Sequence, residues 1–134
     1  MLRHMLDTHI VIYVIKRRPP EVLEVFNRHA EGLCISSITL AKLYHGAEKS
    51  ARPEHNLRVL ESFASRLEVL PYDPKAAMHY GQIHAALERI GQPISENDLH
   101  IAAHARSQAL TLVTNNEREF LRVPALQIDN WVAA

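Results

Sequence analysis

Apolar positions along the chain fall into two rhythms. Short runs at residues 2–6, 33–35, 68–70 and 110–114 are mostly apolar and too short for helices. They read as buried strands. Between them apolar residues recur at helical spacing. Ile10, Val11, Val14 and Ile15 line one side of residues 8–16, and Val22, Val25 and Phe26 one side of residues 21–30. Leu57, Leu60, Ala64 and Leu67 do the same after Pro53, and Ala76, Tyr80, Ile83, Leu87 and Ile90 between Asp73 and Gly91. Further helices are expected at residues 38–49, capped by Ser36 or Ser37, and at 96–107, capped by Ser95. A helical turn is expected at 117–121 and a last strand at 127–128. Pro20, Pro53 and Pro74 suit first helical positions, where no N–H is needed. Strands alternating with long helices predict a single three-layer α/β/α domain over residues 1–134. Its sheet would hold four or five strands, mostly parallel.

Composition supports a core of that size: 47% of residues are hydrophobic and 22% charged. Fifteen basic residues balance fifteen acidic ones, so no global field favours nucleic acid. A polyanion would have to use local clusters such as Lys16-Arg17-Arg18. The lone cysteine, Cys34, sits in an apolar run, which excludes an internal disulfide and a cysteine zinc site. No apolar stretch approaches the ~20 residues of a membrane span. With Arg3, His4 and Asp7 where a leader would be apolar, the expected location is the cytoplasm.

The chemistry starts at Asp7, which follows the first strand directly. Open parallel sheets bind ligands at the carboxyl ends of their strands. Asn115 and Asn116 follow the fourth strand in the same way, and Asp98 stands three residues after the Ser95 cap. Carboxylates gathered at one crevice repel, and a hard divalent cation relieves that repulsion while activating water toward a phosphodiester. Each acid also has a plain structural role open to it: Asp7 as a helix cap, Asp98 in a capping box, Glu119 as a solvated surface acid. His100 and His104 are spaced for zinc, but Ile101 stands where the His-Glu-x-x-His motif needs Glu, and no third ligand is evident.

Four segments stand in a telling order: Met5-Leu6-Asp7-Thr8, the run 35–46, Asn97-Asp98-Leu99-His100-Ile101-Ala102, and the run 112–120. Together they resemble a PIN-domain ribonuclease, specifically a VapC-type toxin. The resemblance covers nearly the whole chain. It implies a metal-dependent endoribonuclease that uses Mg²⁺ or Mn²⁺ to cut RNA, with tRNA and the anticodon region of initiator tRNA the leading substrate, and so blocks translation. It also implies a VapB-type antitoxin that lays a segment beside the acids, a homodimeric toxin, toxin–antitoxin hetero-oligomers, and operator DNA bound through the antitoxin. Carried over by position, Asp7 and Asp98 match the first and third family acids and would hold the metal. Asn116 stands where a fourth acid is usual, with Glu119 three residues on. Thr114 and Arg118 are placed toward the substrate, the Thr114 hydroxyl also supporting the acid shell. Arg118 and Arg122, at i and i+4, could meet RNA phosphates or be surface charges.

The second family acid is the departure. Lys42 occupies the place where the family expects Glu. An ammonium beside Asp7 and Asp98 would pair with them and compete with the metal. At ~4 Å and an effective dielectric of ~20 each such pair is worth ~4 kcal/mol before screening. The expectation is weakened metal binding and lost or nearly lost catalysis. Two rivals follow. An Asp-nucleophile phosphatase would want a second Asp two residues after Asp7, where His9 stands. A non-catalytic PIN-fold domain that only engages an antitoxin is the rival that Lys42 favours.

Overall fold

A computed structural model describes residues 1–132. In chain order the elements are β1 (His4–Leu6), α1 (Thr8–Lys16), α2 (Pro20–Arg28), a 3-10 turn (Ala30–Gly32), β2 (Leu33–Ser36), α3 (Ser37–Glu48) and α4 (Pro53–Ala64). There follow β3 (Glu68–Leu70), α5 (Pro74–Arg89), α6 (Glu96–Ser107), β4 (Thr111–Val113), α7 (Glu117–Phe120) and β5 (Ile128–Asp129). The five strands lie in the order β3-β2-β1-β4-β5, and every pairing is parallel.

Strand alternation divides the core into two layers. Met5, Cys34 and Leu112 point to one face and pack with Ile83, Leu87, Leu99, Ile101 and Phe120, drawn from α5, α6 and α7. Their neighbours Leu6, Leu33, Ile35 and Val113 point to the other face, against Ile10, Val11, Val22, Leu43, Leu60 and Phe63 of α1 to α4. A strand covered on both faces must be apolar at consecutive positions, and this explains the unbroken runs in the sequence. Cys34 is free and fully buried, with its thiol pushed up to about 12 by burial first and by the charge of Glu68 second. It is an inert core residue.

Strand order fixes where a site can form. From the central β1 the chain moves outward to β2 and β3, then returns to the other side of β1 to form β4 and β5. The crevice opens where that direction reverses, at the carboxyl ends of β1 and β4. Turns at this edge are minimal. A single residue, Asp7, joins β1 to α1, and none separates β2 from α3. Of the two candidate caps, Ser36 is the one used, accepting from the Ile38 N–H at 3.0 Å. No helix among the described residues is long and apolar enough to cross a membrane.

Candidate active site

Asp7 is 4% exposed and is held on every side. Its N–H donates to the Val113 carbonyl of β4 at 2.9 Å. Its Oδ1 caps α1 by accepting from the Thr8 N–H at 2.8 Å, and its Oδ2 accepts the Thr114 hydroxyl at 2.8 Å. The cap and the candidate ligand are therefore the same residue, since each carboxylate oxygen keeps a second lone pair. Thr114 is fully buried behind Asp7. It carries the acid and relays it to the next residue but one, because its Oγ1 accepts the Asn116 N–H at 2.9 Å. The expectation that Thr114 meets substrate is corrected by this burial: its hydroxyl faces Asp7, not solvent.

Asn116 then ties the other two acids together. Its side-chain amide donates to Asp98 Oδ2 and to Glu119 Oε2, each at 3.1 Å. Asp98 stands in the first turn of α6, where its N–H is capped by Ser95 Oγ at 3.3 Å. Glu119 lies on the single turn α7, pinned by the fully buried Phe120. Asp7, Asp98, Asn116 and Glu119, four residues spread over more than a hundred positions of chain, thus meet through the Thr114–Asn116 bridge.

The electrostatics follow. Asp98 is pushed up to about 7, by burial first, then by its hydrogen bond with Glu119, then by the charges of Asp7 and Glu119, with the Ser95 hydroxyl opposing. Glu119 is lowered, chiefly by the same hydrogen bond, with further help from Asn116 and the Arg122 guanidinium and with burial opposing. Within the pair the balance favours the protonated form of Asp98 and the ionised form of Glu119. A carboxyl that retains its proton to neutrality beside two other acids marks a place that lacks positive charge.

The lysine expected to supply that charge does not. Lys42 is exposed on α3, and among the described residues its ammonium is within 4.0 Å of no carboxylate oxygen. The anticipated pairing with Asp7 and Asp98 is not made. Lys42 instead lines a groove of about 330 Å³ with Thr8, Ile12, Lys16 and Gly46, on the outer side of α1. Helix α3 turns its buried stripe of Thr39, Leu43 and Ala47 inward, which leaves position 42 on the flank facing solvent.

Arg118 is exposed on α7, one residue from Glu119. Arg122 is engaged, its Nη1 donating to the Pro93 carbonyl at 2.9 Å. The two histidines spaced for zinc face different partners: His100 Nδ1 meets the Tyr72 hydroxyl at 2.8 Å, and the fully buried His104 Nδ1 meets Ser36 Oγ at 2.7 Å. This Ser36–His104 link, which ties the cap of α3 to α6, was not anticipated. The partners are 68 positions apart and no local pattern joins them. Among the described residues no three His, Cys, Asp or Glu side chains are already drawn together as a metal cage. Two carboxylates at one crevice still suit Mg²⁺, which is commonly bound through one or two carboxylates and keeps several waters.

The PIN-domain family model matches residues 4–126, which span every element from β1 through α7. The chain belongs to the PIN-domain family. This PIN domain is 61% identical to the Haemophilus influenzae protein named Ribonuclease VapC2, over 98% of this chain and all of that one. It is 53% identical to the Salmonella typhimurium protein named tRNA(fMet)-specific endonuclease VapC, over 98% of this chain and 99% of that one. Solved structures agree. The VapBC complex of Salmonella typhimurium bound to DNA contains a chain that superposes with a TM-score of 0.94 at 53% identity, covering 98% of this PIN domain and all of its counterpart. VapBC2 of Rickettsia felis, bound to a fragment of its promoter, gives 0.92 at 40% identity, covering 98% of this chain and all of that one. The resemblance drawn from the four sequence segments and the expected α/β/α architecture both stand.

Proposed function

We propose that this PIN domain is the endoribonuclease toxin of a VapBC-type pair, built to cut tRNA, with initiator tRNA in its anticodon region as the leading substrate, and thereby to halt translation in the cytoplasm. The observation that carries the reading is the convergence of Asp7, Asp98 and Glu119 on the Thr114–Asn116 bridge at the sheet's switch point. Asp7 and Asp98 would hold Mg²⁺ or Mn²⁺. When bound, such an ion supplies an activated water and stabilises charge on the phosphodiester. The chain's own groups do the rest. Asp7 is immobilised by two hydrogen bonds, Asn116 fixes the separation of Asp98 and Glu119, and Asp98 has a proton to release when a cation arrives. Arg118, exposed beside Glu119, is placed for a substrate phosphate.

Lys42 makes this copy impaired. It leaves the ligand set without the carboxylate that the family has at this position, while its own ammonium pairs with none of the remaining acids. The relatives solved as DNA-bound VapBC complexes support a VapB-type antitoxin and operator DNA as partners; the same reading has the DNA bound through the antitoxin and the toxin as a homodimer. Its segment has a ready bed in the apolar groove that Lys42 borders. Lys42 also favours a second reading, a domain that still engages antitoxin but no longer cuts. The test is Lys42→Glu. The purified variant should cleave initiator tRNA in Mg²⁺ at least tenfold faster than the parent chain, equivalent to ~1.4 kcal/mol, and should arrest growth when expressed. A Lys42→Glu protein that binds antitoxin but leaves total tRNA intact supports the binding-only reading and sinks the nuclease one.

A further inference from the structure

The opposite edge of the sheet carries a second concavity, of about 600 Å³, to which Arg3, His4, Asn27, Arg28, His29 and Glu31 contribute. It lies at the amino end of β1, three residues and so roughly 10 Å along the strand from Asp7. Its charge is the reverse of the acid site. Its lining carries two guanidiniums, Arg3 and Arg28, and one carboxylate, Glu31, with Asp129 acting on His4 from outside the lining, and among the described residues neither Arg3 nor Arg28 comes within 4.0 Å of any carboxylate oxygen. Two cations left unpaired on one concave wall repel each other unless an anion joins them.

The wall is also rigid. The Arg3 N–H donates to the Gly32 carbonyl at 2.9 Å, and the Gly32 N–H donates to the His29 carbonyl at 2.9 Å, so the residue leading into β1 and the 3-10 turn are stitched together. Behind them three rings form a cluster. His29 lies against His4 with centroids 4.9 Å apart and over Trp131 at 5.7 Å, nearly parallel at 16°. His4 is lowered by burial first, then by the charges of His29 and Arg3, with Asp129 opposing. His29 is exposed, and among the described residues its ring makes contacts with the rings of His4 and Trp131 and no side-chain hydrogen bond, leaving its nitrogens to a ligand.

We propose that this pocket is a phosphate-binding site in which Arg3, Arg28 and His29 grip a phosphate group, either on an RNA backbone or on a free mononucleotide or inorganic phosphate. Guanidiniums match phosphate oxygens in pairs, and an imidazole adds a third donor. The site would give the chain a contact with RNA, or a sensor of phosphate, on the face turned away from the acids. None of its residues belongs to the acid site, so failure here leaves the nuclease reading untouched, and the reverse is also true.

Trp131 is the sole tryptophan of the chain and is stacked on His29, so its emission reports the pocket directly. The experiment titrates inorganic phosphate into the full chain at constant ionic strength set with chloride, and follows Trp131 fluorescence. A saturable change is expected, and Arg3→Ala and Arg28→Ala should each weaken it roughly fivefold or more, the loss of one charge-assisted contact at an open site. An unphosphorylated single-stranded oligoribonucleotide is then added as competitor. Displacement of phosphate assigns the site to the RNA backbone, and lack of competition assigns it to mononucleotides or free phosphate. No saturable change, or a change that both arginine variants leave intact, overturns the proposal. Circular dichroism and thermal melts of the variants confirm that a lost response is not a lost fold.

Discussion

Replacing Asp98 by Asn should make the protein more stable, and only in one range of pH. The folded value of Asp98 lies at about 7, above its ordinary 3.8. The folded chain therefore holds a proton that the unfolded chain has released. Stability from this group is fully present below about pH 3.8 and is lost as pH rises through 7. The full difference corresponds to ~4 kcal/mol at 1.36 kcal/mol per tenfold step. The site is partly open to water, and solvent screening reduces this to ~2 kcal/mol. Asparagine keeps the shape of the protonated acid but never ionises. In divalent-free buffer at pH 8, Asp98→Asn should gain that ~2 kcal/mol, or roughly 6–10 °C in melting temperature for a chain of this size. The gain should shrink between pH 7 and pH 4 and be nearly gone at the lower limit. Differential scanning calorimetry of both proteins across that range is the assay. An equal gain at all pH values, or a loss at pH 8, would refute the claim that Asp98 is held against its own ionisation by burial, Glu119 and Asp7. The variant should also lose any metal affinity, so the stability gained is the strain the site stores for its ligand.

Three other substitutions probe the scaffold. Thr114→Val strips a donor from Asp7 Oδ2 and an acceptor from the Asn116 N–H, both in a buried setting, and should cost ~2 kcal/mol in urea unfolding; a neutral result would contradict the bridge. Ser36→Ala removes the cap of α3 together with the partner of His104, for a loss of ~1–2 kcal/mol, while Ser37→Ala, which leaves that cap in place, should cost less. Phe120→Ala empties a fully buried site and should cost ~3–5 kcal/mol, with amide exchange at residues 117–120 rising to that of open loop as Glu119 loses its anchor.

Most of the framework could be read without coordinates because its signals are local. Asp73 and Ser95 were legible as caps, and both cap as expected, accepting from Ala76 and Asp98. Strand ends were less so: residues 2–6 contract to His4–Leu6, although Arg3 still exchanges backbone bonds with Gly32 and Thr111 on either side. Helix α2 starts at Pro20 and stops at Arg28, and residues 30–32 tighten into a 3-10 turn instead of continuing the helix. The acids were identifiable because each follows a strand or a cap. Thr114 as a buried strut and Asn116 as the bridge between acids were not, because hydrogen bonds across 107 and 18 positions leave no periodic trace. The direction of the Lys42 side chain was misjudged for a related reason. The family motif fixes the position on α3, but the packing of Thr39, Leu43 and Ala47 fixes which way that flank turns.

The one-residue link at Asp7 and the absent link between β2 and α3 leave this edge with no slack. Lengthening either by a residue would rotate a helix by ~100° and pull its inner stripe out of register with the sheet. An insertion at this rim should therefore cost more than an exchange of side chains. A solvent-facing flank such as position 42 can reverse its charge at almost no expense to folding.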